Sequence, residues 1–142
     1  MTQMVHAPAA PSWPLRLTAT TALAVALAIR ALPDTWRMRA RVRLAHIARP
    51  LPPASHHRVT RVYGAVVACQ PGWWRGQIDC KDRSIATVLA VALTGRRCHL
   101  VLGARTLPAS FHAWVATTDG TPVGNDEAGG ADHPWTPVYR TP

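Results

Sequence analysis

A cysteine at position 80 and a histidine at position 112, 32 residues further on, are the pair in this sequence best suited to nucleophilic chemistry. A thiol becomes a nucleophile when a base takes its proton, and an imidazole is that base near neutral pH. Asp79 has N-cap chemistry, Asp82 falls in the first turn, strong helix formers follow, and Gly95 stands where a helix would stop. Together they predict a helix whose first residue is Cys80. There the helix dipole and the unbonded amides favour the thiolate, and Lys81 and Arg83 push the same way. Beyond Gly95, residues 98–104 and 111–117 read as two short strands, the second carrying His112 and Trp114 on one face. Residue types and spacing leave two readings open. One is a nucleophile and base; the other is a cysteine packed as a small hydrophobe and a merely polar strand histidine.

Order and spacing add a resemblance. C-K-D-R-S-I-A, then G-R-R-x-x-x-L-V-L-G-A-R, then F-H-A-W-V and D-G-x-P-V resemble the catalytic core of the lasso-peptide leader peptidases, a family of transglutaminase-like cysteine proteases. The resemblance runs over residues 79–139 and includes the spacing from Cys80 to His112. It implies a Cys-His-Asp triad with Cys80 as nucleophile, His112 as base and Asp126 as the carboxylate that orients the imidazole, Asp119 being the fallback. Ala116 stands where the family carries an acidic residue, and Asp126 lies slightly past the family's position. The implied activity is hydrolytic removal of the leader peptide from a ribosomally made precursor, with no metal or other cofactor. The implied partners are the precursor, a separate leader-recognition protein, since residues before Asp79 leave no room for such a module, and an ATP-using lasso cyclase. Two alternatives remain. One is amide transfer or other peptide hydrolysis on the same scaffold; the other is a non-catalytic binding protein working through its basic helix.

The rest of the chain must position this pair. Residues 17–29 are 13 uncharged positions between Arg16 and Arg30, shorter than the roughly 20 a spanning helix needs. A buried or surface-lying helix is the expected form, with a signal or membrane-contacting segment left open. Pro33 ends it and Asp34 is expected to cap the next helix, over 35–48. There four arginines flank a packing face of Trp36, Ala40, Leu44 and Ile47. That basic face is either solvated or docks an acidic partner. Prolines at 50, 52 and 53 break the chain, and Ser55 caps a helix whose Val59, Val62, Tyr63, Val66 and Val67 point to the core. Gly64 within it implies a close packing contact. The loop 70–77 delivers the chain to Cys80 and contains Gln77, Trp73 and Trp74, candidates for an oxyanion donor or a substrate wall. After His112, Asp119-Gly120 marks a tight turn, and the tail from Trp135 reads as a proline-marked edge strand.

These elements predict an α+β fold of the papain/transglutaminase-like kind, with about three helices, then the nucleophile helix, then a small antiparallel sheet. Residues 1–54 form the N-terminal helical segment of the same unit and 55–142 the protease core. With 142 residues and 48% apolar composition, one domain is expected. The net charge of +9 is almost all arginine. No zinc-finger, helix-turn-helix or aromatic-flanked basic pattern accompanies it, so nucleic acid is not the expected partner. The three cysteines, at 69, 80 and 98, lack a disulfide framework and suit a reducing, cytoplasmic setting. Neither Cys98-His99 nor His56-His57 has metal-ligand spacing.

Overall fold

Helix α4 (Cys80–Leu93) is alanine- and valine-rich on every side, and that composition suits an axis rather than a surface element. Its Asp82, Ser84, Ile85, Ala86, Thr87, Val88, Ala90 and Val91 are all buried, as expected of a helix packed all round. The computed structural model describes residues 10–71, 78–106, 109–124 and 135–142. Within these, α1 (Trp13–Ile29), α2 (Asp34–Ile47) and α3 (His56–Ala68) precede α4, and β1 (His99–Thr106), β2 (Ala109–Ala116), β3 (Pro122–Val123) and β4 (Thr136–Arg140) follow it. The strands form one antiparallel sheet in the order β3-β2-β1-β4. The chain is therefore α+β, with its helices before its sheet.

Small residues bring the helices close. Ala19, Ala22, Leu23 and Ala26 recur at helical spacing on α1 and join Val59, Val62, Ala65 and Val66 of α3 in one core with α4. The sheet closes that core with Leu100, Val115 and Val123. Ser55 caps α3 by accepting the Arg58 N–H at 3.3 Å. A Cβ on Gly64 would meet nothing within 4 Å, so the glycine there reflects no close contact. Gly95 ends α4 with φ 76°. Its N–H reaches the Ala92 carbonyl, and the Arg96 N–H reaches Val91, the paired bonds that close a helix on a left-handed glycine. No helix among the described residues is long and apolar enough to cross a membrane.

Helix α2 departs from its expected packing. Of the expected face Leu44 packs half-buried against the core, but Trp36 and Ile47 are exposed, and the buried positions are Arg41, Ala45 and, just past the helix end, Ala48. Asp34 is its first residue rather than its cap, pairing with Arg37 at 2.6 Å, and Pro33 holds the cap position. The reason for the altered face is electrostatic. Arg41 Nη2 donates to Asp82 Oδ1 at 2.6 Å, and Arg30 Nη1 lies 3.5 Å from Asp82 Oδ2. A buried carboxylate on α4 draws in an arginine, and the helix turns to deliver it.

Candidate active site at the start of helix α4

Cys80 is the first residue of α4, half-buried and not in a disulfide. The first turn of α4 sits on the outer edge of β2, where β3 stops. β3 pairs only with Val115 and Ala116, and the next main-chain groups, those of Ala113, turn to α4 instead. The Ser84 hydroxyl donates to the Ala113 carbonyl at 3.0 Å, and the Ala113 N–H donates to the Cys80 sulfur. Ala113 N is about 2.4 Å from the Cα of the preceding residue, so a sulfur bonded to it lies within roughly 6 Å of the His112 Cα. The fold thus brings the Cys80 sulfur to the outer edge of β2 beside the main chain of His112, whose ring lies with Trp114 and Trp135.

The imidazole has aromatic neighbours. His112 stacks on Trp114, with ring centroids 5.9 Å apart at 21°, and lies 5.2 Å from the Trp135 ring. The Arg105 guanidinium covers Trp135 at 4.6 Å, and its Nε donates to Ser110 across the strand pair at 2.7 Å. Trp114, Val101 and Ala116 make a second small cluster with Trp135 packed against it, on the sheet face away from α4. The tryptophans therefore pack in this cluster and flank the His112 ring at once.

The protonation of Cys80 differs from the thiolate expected of a helix start. Burial pushes its pKa up, the Ala113 N–H opposes this, and the neighbouring Asp79 adds to the rise through a hydrogen bond and its charge. The thiol donates to Asp79 Oδ1 at 3.3 Å. Asp79 holds the N-cap position without a side-chain capping bond, its carboxylate being turned to the thiol. Burial works against its ionisation, but the Cys80 hydrogen bond, Lys81 and Arg41 outweigh it, so its pKa is lowered. The resting pair is a neutral thiol held by an anionic carboxylate. Asp79→Asn keeps the shape and removes the charge, so the pH–rate profile of Cys80 alkylation is expected to move to lower pH. An unchanged profile, followed by mass spectrometry with iodoacetamide, would show that Asp79 does not hold the proton.

The remaining expected residues fall as follows. Asp126 lies outside the described residues, three positions after the end of β3. Asp119 is at the far end of β2 and belongs to its own turn. It accepts from the Thr117 hydroxyl and, at 3.1 Å, from the Thr121 N–H. These bonds lower its pKa to about 2. Gln77, Trp73 and Trp74 also lie outside the described residues. No group of His, Cys, Asp and Glu that could hold a metal occurs among the described residues. Sequence reasoning missed Arg41 and Arg30, which reach Asp82 two residues past the thiol; the one available signal was an acidic residue within an otherwise apolar helix.

The family model of the transglutaminase-like superfamily matches residues 10–138. No curated protein and no solved structure matches the chain significantly.

Proposed function

This chain belongs to the transglutaminase-like superfamily, whose members are generally cysteine proteases and acyltransferases, and from that premise we propose that it is a cysteine peptidase that removes the leader from a lasso-peptide precursor. The observation that carries the reading is the docking of the first turn of α4 on Ala113, the residue after His112, where the Ser84 hydroxyl donates to the Ala113 carbonyl at 3.0 Å and the Ala113 N–H faces the Cys80 sulfur. The motif resemblance over residues 79–139 supports the leader peptidases as the reading within the superfamily.

In the proposed mechanism His112 takes the thiol proton as the sulfur attacks the scissile carbonyl, and the developing oxyanion meets the Cys80 N–H. That amide is one of those a helix start leaves without an intrahelical acceptor. The imidazolium then protonates the departing amine as the C–N bond breaks, leaving a thioester. Water, deprotonated by His112, hydrolyses the thioester and restores the thiol. Asp126 orients the imidazole. A separate leader-recognition protein presents the precursor, and the freed amine goes to an ATP-using cyclase, all in the cytoplasm.

The test is mass spectrometry of a candidate precursor incubated with the wild type, Cys80→Ala and His112→Ala, with and without the leader-binding partner. Leader and core products carrying one added water are expected from the wild type, more of them with the partner. Loss on the order of 10³-fold or more is expected for either variant, as for the loss of a nucleophile or its base. An amine adduct in place of water would make the chain a transferase, and cleavage by Cys80→Ala would end the proposal.

A further inference from the structure

We infer that the outer edge of β2 beside Cys80 binds an extended peptide as an added strand, through the main chain of Phe111; as a substrate subsite this rests on the peptidase reading above. Along an antiparallel strand the main-chain groups of successive residues face alternate sides. On β2 and just beyond it the outward series is fixed by its partners. The Thr117 N–H donates to Thr121 at 3.0 Å, Val115 pairs with Val123, and Ala113 gives its carbonyl to Ser84 and its N–H to the Cys80 sulfur. The inward series, His112 and Trp114, is left to face Gly103 and Val101 of β1. Leu100 of β1 agrees, since its carbonyl faces the other way and accepts the Thr141 N–H at 3.0 Å.

Phe111 is the next outward residue, about 7 Å along the strand from Ala113. No described residue pairs with its outward N–H and carbonyl, and its side chain is 78% exposed. β3 occupies this edge at Val115, the start of α4 occupies it at Ala113, and beyond them no described residue pairs with it. The thiol therefore lies in the line of the strand that β3 begins. An adjacent donor and acceptor at strand spacing are the complement of another peptide main chain. A peptide paired to Phe111 by its N–H and carbonyl runs on toward Ala113, and its next residues bring a carbonyl carbon to the sulfur. Such pairing reads extended backbone with little regard to side chains, which suits a flexible linker between leader and core.

The test uses the full chain and reads Cys80 labelling by mass spectrometry, with no need of a natural substrate. The probe is N-acetyl-trialanyl chloromethyl ketone, in which the sulfur displaces chloride, compared with iodoacetamide and with isomers methylated at one amide nitrogen at a time. Each rate is divided by that of the same reagent with glutathione. The peptide reagent is expected to hold an advantage of about tenfold over iodoacetamide, the net worth of one or two hydrogen bonds. Methylating one particular amide should abolish it while other positions do not. Phe111→Pro removes only an N–H outside the β1–β2 ladder, and it should remove the advantage that Phe111→Ala keeps. Equal rates for all isomers, or full retention in a folded Phe111→Pro, would overturn the inference; if that variant does not fold, the isomers decide on the wild type. Edge-dependent labelling without precursor cleavage would keep the subsite and reject the leader-peptidase reading. Cleavage with no edge dependence would do the reverse.

Discussion

Asp82→Ala is expected to lower the free energy of unfolding by about 3–5 kcal/mol, because it strands a buried cation. Asp82 is 1% exposed and the Arg41 side chain 10%, so water cannot take over the lost partner. Arg41→Met should cost less, since Arg30 remains 3.5 Å from the Asp82 carboxylate. The double variant should be more stable than the sum of the two losses predicts, with a coupling of about 1–3 kcal/mol. Urea unfolding of the four proteins measures this cycle, and strictly additive losses would mean that the pair is not coupled. The consequence reaches the site. Asp82 is in the first turn of α4, so the ion pair fixes α2 and α1 to the helix start that carries Cys80, and Arg41 also helps to keep Asp79 ionised.

This cluster marks the limit of what local pattern reveals. The helices, their caps at Ser55 and Gly95, the turn at Asp119-Gly120 and the edge strand at the C-terminus were all legible, because each depends on neighbours within a few residues. The packing face of α2 was legible only in part, at Leu44. Its apolar side chains suggested Trp36, Ala40, Leu44 and Ile47, yet the helix is oriented by a carboxylate 41 residues from Arg41, a partner that periodicity does not register. Polar attraction in the interior outweighed the exposure of Trp36 and Ile47.

The candidate site divides the same way. A cysteine at a helix start and a histidine on the following sheet could be read from caps and strand alternation. The edge-on docking of α4 against Ala113 could not, since it depends on β3 being only two residues long. Gly124 follows with φ 72°, and a Cβ there would overlap the Tyr63 ring; β3 ends before that glycine, and at Ala113 the β2 edge meets α4. Nor could the thiol's proton be placed from sequence. A helix start argues for the thiolate, whereas burial first, and then the hydrogen bond and charge of Asp79 turned to the sulfur, raise the thiol's pKa.

Gly103→Ala is the second change expected to have a large effect, and it acts on His112 from across the strand pair. Gly103 is opposite His112 in the β1–β2 register. A Cβ there would overlap the six-membered ring of Trp114 and lie 3.2 Å from the Thr136 carbonyl. The indole has little room to yield, being 6% exposed and packed with Val101 and Ala116. Overpacking of this kind costs about 1–3 kcal/mol. Because Trp114 is the ring on which His112 stacks, its displacement should also lower kcat of the proposed precursor cleavage and change the near-UV circular dichroism of the tryptophans. Two further variants separate this from general destabilisation. Gly64→Ala, with open space around the new methyl, should be neutral or stabilising by up to about 1 kcal/mol. Adding Trp114→Phe to Gly103→Ala should recover stability by making room, while leaving cleavage impaired because the stacking surface is smaller. If Gly103→Ala keeps wild-type cleavage and an unchanged aromatic spectrum, Trp114 is not what positions the imidazole.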